Sequence, residues 1–424
     1  MSRVAGGNRS YRDVLRDRRV AGLLAGDLLA NVGTGMLVVA MPVQTLRIRG
    51  SVPAALAIGM VAAAPFVLAT VVALAVGLGR VRVAPRTLLL ADCVLRAVTF
   101  GLLGSLAVTG RLTLPVLVGG LLAGAAGRMV GSSSRRVLAT SLAGERDRFA
   151  VNGLLGLNSN VALYVLGPVV GGIVVAAVGA GAALFADAGG ALLLLAAVLR
   201  VVPRTVAVQQ ERRGAPSGWR ILLRRPVAAR LLVVVFFFNL LYMPIEVALP
   251  LYVRGDLYVG AAGLGLLWAA LGAGAATGAA LTSQLRNLPQ RHLLIAIIGL
   301  WGLCPVALAA VSNLTVALVV FGLGGLVWAP FTPVAYSFLQ SGLAPDEQQQ
   351  VVTLWTTGAT LAAPLGLAAS GPLIQLTGTR GGLVLSGVLT LLLMPIAART
   401  VHTRPRIPVP TGHDPGDAMH PAKR

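Results

Sequence analysis

Six ionisable side chains, Asp27, Asp92, Asp187, Glu246, Arg96 and Arg128, stand inside stretches of otherwise apolar sequence. A charge held away from water is costly unless it faces a cavity or a partner, so such residues mark ion pairing, proton exchange or ligand contact. Glu246 follows Pro244 in Tyr242-Met243-Pro244-Ile245-Glu246. Proline removes a helix hydrogen bond and kinks the helix, and a carboxylate beside the kink suits a gate or a proton-coupling site. A solvated carboxylate near the headgroups is the inert alternative. Asp27 and Arg128 fall at similar depth in the first and fourth apolar stretches and are expected to pair, as a substrate or proton site or as a structural lock between two helices. Asp92 and Arg96 are four residues apart and share a helix face. An intrahelical pair supporting a gate is expected there, and Asp187 is read as structural or gating.

The softer polar groups at mid-stretch are Asn31, Asn158, Asn160, Asn239, Thr332 and Tyr336, with Tyr242, Trp328 and Phe331 as aromatic surface. Such a mixture suits large amphipathic ligands bound mostly by apolar burial and stacking, with a few polar anchors. Ordinary interhelical hydrogen bonding is the competing account of each asparagine.

These residues require elements that hold them in lipid. Twelve apolar stretches do so, near 21–45, 54–78, 87–109, 112–133, 151–177, 180–202, 229–252, 262–284, 293–311, 314–341, 351–376 and 380–399. Each is near the roughly 20 residues that a spanning helix needs. Helices are the economical way to cross, because the bilayer offers no partner for a free backbone amide. The expected fold is therefore an all-α membrane protein of twelve transmembrane helices in two six-helix repeats. The parts are an N-terminal tail (1–19), a six-helix bundle (20–202), an arginine-rich central loop (203–228), a second bundle (229–400) and a polar, proline-bearing tail (401–424) expected to be disordered.

Only five loop arginines, Arg47, Arg49, Arg111, Arg254 and Arg380, fall on one side of these stretches, while the other loops and tails hold nearly all the rest. Basic loops stay in the cytoplasm, so both termini are expected there, in a multi-pass protein of a bacterial inner membrane. The net charge of +21 is thus a topology signal. It does not imply a nucleic-acid partner, since no basic soluble domain exists to hold one. The first stretch is too long for a signal-peptide core and is expected to be retained. Cys93 and Cys304 lie in separate apolar stretches and are expected to pack rather than pair. Three of the four histidines, His402, His413 and His420, sit in the C-terminal tail at spacings that match no compact metal site. No phosphate-binding loop is present, so neither a cofactor nor an ATP-driven pump is expected. A membrane enzyme would need a convergent nucleophile and base, and His292 lies in a turn.

The halves echo one another. Asn31 and Pro42 recur as Asn239 and Pro250, and Gly167-Pro168-Val169-Val170-Gly171-Gly172 is echoed by Pro364-Leu365-Gly366 with Ser370-Gly371-Pro372. Parallel repeats with a site between them near mid-membrane are a transporter architecture. The glycine-proline run resembles the antiporter motif Gly-x-x-x-Gly-Pro-x-x-Gly-Gly of the major facilitator superfamily, with Leu163 in place of the first glycine. The preceding Arg148-Phe149-Ala150-Val151-Asn152 is similar to the approach to that helix in efflux branches. Leu241–Glu246, Gly325–Pro333 and Ala363–Leu367 resemble Tap-type multidrug exporters. This resemblance implies proton-driven export of an amphipathic small molecule through alternating access, with protons and membrane lipids as partners and a monomer as the working unit. It implies proton coupling at Glu246, which matches the family's helix 7 glutamate; Asp27 is the second candidate. Substrate contact is expected at Asn31, Arg128, Asn239, Tyr242, Trp328, Phe331, Thr332 and Tyr336. Gating is expected at Asp92, Arg96, Gly167, Pro168, Gly171, Gly172 and Pro244. One departure stands out. The superfamily's Asp-Arg pair after the second helix is replaced by Gly77-Leu78-Gly79-Arg80-Val81-Arg82, so that either Asp92 supplies the missing carboxylate or the inward gate is held differently. A lipid or siderophore carrier, with Arg128 facing an anionic headgroup, and a transport-dead sensor are the other readings.

Overall fold

A computed structural model describes residues 14–77, 83–143, 147–203, 218–285, 288–341, 343 and 345–402. Arg80 and Arg82, most of the central loop, and the tail with His413 and His420 lie outside the described residues. The six helices of the first half are α1 (Arg18–Ile48), α2 (Ala54–Gly77), α3 (Pro85–Val108), α4 (Leu114–Ala143), α5 (Ala150–Ala177) and α6 (Ala180–Val201). A short helix, Gly218–Arg224, leads into α7 (Pro226–Gly255), α8 (Ala261–Leu285), α9 (Gln290–Ala310) and α10 (Leu314–Leu339). The helical stretch from Pro345 to Leu391 contains Gly378 at φ 74°, ψ 171°. That left-handed conformation is open to glycine at little cost. It divides the stretch into α11 (345–377) and α12 (379–402), the latter including the final helix Leu393–His402. Among the described residues eleven helices are long and apolar enough to cross a membrane, and the last, Leu354–Arg399, divides at Gly378 to give the twelfth expected segment.

Two helices differ from the sequence reading. α4 breaks after Gly124 and resumes at Arg128, then runs on to Ala143, ten residues beyond the expected end. α10 breaks at the matching place in the second half, after Trp328, and resumes at Phe331. Pro330, which lacks a donor and clashes with the turn before it, accounts for the α10 break. In α5, residues Ala162–Leu166 form a π-helical turn immediately before Gly167-Pro168, and the Gly167 amide bonds the Ala162 carbonyl five residues back. Proline cannot donate at position 168, so the helix accommodates the missing bond there.

Twelve antiparallel crossings place residues 18 and 402 on one face, called here the terminal face. In the first half α6 packs on α1 and α3, and in the second the stretch Pro345–Leu391, holding α11 and most of α12, packs on α7. Apolar cores sit within each half: Leu103, Leu117 and Leu184 in one, Phe238, Trp301 and Phe321 in the other. The second core continues through Val39 and Ile58 of the first half, so the halves meet through apolar contact.

Candidate functional site

Asp27 lies about two turns into α1 and is 1% exposed. Asn158 of α5 donates to its Oδ2 at 2.6 Å, and Asn31, one turn further along α1, donates to Oδ1 at 3.0 Å. The ion pair comes from Arg135 of α4. This corrects the expected pairing with Arg128. Because α4 extends to Ala143, Arg135, not Arg128, sits level with Asp27, and an arginine that reads as a loop charge is turned into the bundle. A pocket of about 290 Å³ bounded by Ser132, Ser133, Arg136 and Ser159 opens beside this pair.

The second cluster joins three helices. Arg96 of α3 donates to Asp187 of α6 at 2.6 Å and to the Thr34 hydroxyl of α1 at 2.8 Å. Thr34 in turn donates to Asp187 at 2.9 Å. The expected Asp92–Arg96 pair is therefore replaced by a cross-helix one. Two acceptors on neighbouring helices outcompete the single carboxylate on the same helix, since a guanidinium serves several acceptors at once. Asp92 is 2% exposed, and its Oδ1 has no hydrogen-bond partner. Its carboxylate lies flush against Gly127 and Gly131 of α4.

Arg128 begins the second segment of α4 and faces a cavity of about 210 Å³ between the halves. Glu246 of α7 faces the same cavity, with Thr34, Tyr164, Phe100 and Trp268 among its other walls. Among the described residues neither Arg128 nor Glu246 has an ion-pair partner within 4.0 Å, and the Arg128 charge acts on Glu246 through space. Pro244 lies inside α7, which remains helical through it. Sequence reasoning missed Tyr164 and Trp268. Both sit at helix positions indistinguishable from core, and only the close approach of α5 and α8 brings them to the cavity.

The other expected contact residues divide. Tyr242 packs on both Trp301 and Trp328, at centroid distances of 5.6 and 5.8 Å, the two tryptophans lie 6.4 Å apart, and Trp328 meets Tyr164 edge-on at 6.4 Å. This aromatic stack is continuous with the cavity wall through Tyr164. Phe331 instead stacks on Phe238 in the second core, and Tyr336 meets Trp355. Asn239 donates to the Val235 carbonyl of its own helix, and Thr332 is exposed.

The glycine-proline run of α5 packs on two partners. Gly167 and Gly171 lie against Gly35 and Met36 of α1, so close that a methyl group at Gly35 would stand 2.9 Å from the Gly167 Cα. Gly172 faces Ala262 and Gly265 of α8, across the seam between the halves. α11 repeats the arrangement, with Gly366 against Met243 of α7 and Gly371 against Gly59 and Leu56 of α2. Small residues permit such close helix approach in membranes. Both cross-seam contacts lie away from the terminal face.

Two six-helix halves around a central cavity, with charged groups inside a membrane-spanning bundle, define a multi-pass integral membrane transporter. Residues 23–289 match the Major Facilitator Superfamily, and the chain belongs to that superfamily of secondary transporters; it is a transporter of small molecules and not an enzyme. The fold is similar to that of the nucleoside transporter NupG (TM-score 0.73, 11% identity, 91% of this chain and 100% of that one). It is also similar to a bacterial homolog of the human lysosomal transporter Spinster in an inward-facing, unoccupied conformation (TM-score 0.67, 15% identity, covering 93% and 97%). A D-xylose-proton symporter matches as well (TM-score 0.66, 13% identity, covering 91% and 97%). No curated protein sequence matches the chain.

Proposed function

We propose that the protein exports amphipathic small molecules, such as antibiotics or secondary metabolites, by proton antiport. In this reading it works as a monomer in a bacterial inner membrane, with both termini in the cytoplasm. The observation that supports it most is the placement of Glu246 and Arg128, each without an ion-pair partner among the described residues, on one largely apolar cavity at the seam. A carboxyl with no fixed partner is free to gain and lose a proton, and intramembrane acids serve as proton relays for this reason. Protonation removes a charge and favours the arrangement that shuts Glu246 away from water. Cargo and proton then compete for the cavity in alternation.

The cavity, about 210 Å³, is smaller than the roughly 300–1,000 Å³ of pockets that hold drug-sized ligands. Cargo therefore enters only after the halves part. Tyr242, Trp328, Asn31, Asn239, Phe331, Thr332 and Tyr336 are the surfaces proposed to meet it then. Asp27, already surrounded by Arg135, Asn31 and Asn158, would act in coupling only by exchanging these partners. Gly167, Pro168, Gly171 and Gly172 are proposed as the pivot of gating, with Pro244, Asp92 and Arg96. The export direction rests on the resemblance of the α5 run and of the second half to exporters.

The test is accumulation of a dye and antibiotic panel in a susceptible bacterium carrying the protein or its Glu246→Gln form. Lower accumulation, abolished by a protonophore and by the substitution, is the expected result. Unchanged accumulation of every compound would overturn the drug-export reading. A second reading, export of an anionic lipid or siderophore, is favoured by one observation: Arg128, which has no ion-pair partner among the described residues, presents its cation to the cavity.

A further inference from the structure

The interior charges do not balance. Asp27 and Arg135 neutralise each other. Asp187 is matched in charge by Arg96 through its Oδ1, although its Oδ2, like Asp92 Oδ1, has no hydrogen-bond partner among the described residues. What remains among the described interior charges is Asp92, packed against α4, and Glu246 and Arg128 on the cavity: two acids and one base. Net charge in a low-dielectric interior is expensive, and the smallest remedy is one proton. Glu246, facing the cavity, is one place for it. Asp92 is the other. It is 2% exposed, its own-helix neighbour Arg96 is committed elsewhere, and its Oδ1 meets no donor. A buried acceptor left unsatisfied is costly, and a bound proton changes that oxygen from an orphaned acceptor into a neutral hydroxyl.

The geometry points to Asp92 as a second proton-binding site, taking up the proton that Glu246 releases. Arg128 links the two. It lines the cavity with Glu246, and it begins the helical segment whose first turn, with Gly127 just before it and Gly131 within it, lies against the Asp92 carboxylate. The charged groups acting on Asp92 are Arg96 on its own helix, Arg128 and Arg135 on α4, and Asp187 on α6. With Glu246 protonated, Arg128 balances Asp92. With Glu246 ionised, Arg128 is drawn to it, and Asp92 loses one of the three cations that act on it. In the exchange the O–H bond of the Glu246 acid breaks, water carries the proton, and an O–H bond forms at Asp92. The net charge of the site is unchanged. The glycines at 127 and 131 are then explained as well, since a Cβ at either position would collide with the carboxylate.

The Asp92 site deepens the proton-coupled function proposed above and rests on it. The test is pH-difference infrared spectroscopy of the full chain in lipid nanodiscs, following the C=O band of protonated carboxyl groups with carbon-13 labelled aspartate or glutamate. The expected result is a titrating band that shifts in part with each label. The aspartate part disappears in Asp92→Asn and moves to the glutamate label in Asp92→Glu. A band sensitive only to labelled glutamate, or an aspartate band that survives Asp92→Asn, would overturn the proposal and leave Glu246 coupling intact. An aspartate band without a glutamate band would support Asp92 and remove Glu246 from the coupling mechanism. Labelling of the unmodified chain decides the matter even where Asp92→Asn does not fold: no shift with labelled aspartate sinks the proposal.

Discussion

Arg96 on α3 binds Asp187 on α6 at 2.6 Å, although Asp92 stands one turn before it on its own helix. The choice ties α1, α3 and α6 together through Thr34. Removing one partner of a buried pair leaves an uncompensated charge and costs about 3–5 kcal/mol. Arg96→Leu is expected to lower stability by that order, read as a fall in the denaturant midpoint of the purified protein. Arg96→Leu combined with Asp187→Leu should cost less than the sum of the two single changes, because the combination buries no lone charge. Strict additivity would show that the pair is energetically idle.

Asn158 reaches from α5 to both the Asp27 carboxylate and the Leu24 carbonyl. Hydrogen bonds to a charged group contribute about 1.5–3 kcal/mol. Asn158→Ala should destabilise by this amount and Arg135→Ala by more, measured by thermal unfolding in detergent. An Asn158→Ala protein as stable as the parent would mean that water replaces the amide.

Gly172 and Gly371 each seat a helix of the opposite half. A Cβ at Gly172 would stand 3.2 Å from the Ala262 Cα, and one at Gly371 3.2 Å from the Leu56 Cα. Leucine at either position is expected to wedge the seam open on the face away from the termini. Spin labels at the exposed positions Ser51 and Tyr258 should report longer separations in Gly172→Leu and Gly371→Leu. An unchanged distance distribution would show that the seam does not depend on these glycines.

Arg128 is the cation of the cavity, so it should sort cargo by charge. Arg128→Gln removes a charged contact of about 1.5–3 kcal/mol, which corresponds to about a 10–100-fold loss of affinity. The loss should fall on anionic amphiphiles and spare cationic ones, as read from competition for export. Equal losses for both charge classes would deny Arg128 a part in sorting cargo by charge.

Much of this was legible in the chain itself. Hydrophobic length sets the twelve crossings, because lipid tolerates no unpaired backbone. The repeat was visible in Asn31 and Asn239 and in the glycine-proline runs, and the structure extends it to matching seam contacts at Gly172 and Gly371. Glu246 and Arg128 could be singled out as charges in apolar sequence, and they do share a cavity. The partners of the acids could not be read. Pairing Asp27 with Arg128 required knowing where α4 ends, and hydropathy fades gradually through Gly131-Ser132-Ser133-Ser134 while the helix continues to Ala143.

The sequence by itself determined that the protein spans a membrane twelve times in two related halves, because apolar length responds only to the thickness of the bilayer. Only the tertiary structure decided that Asp27 meets Arg135, that Asp187 meets Arg96 and that Asp92 meets neither. Those outcomes depend on the rotation and depth of each helix against its neighbours. They are fixed by close contacts such as Gly35 on Gly167, which act between residues far apart in the chain and leave no periodic trace in it.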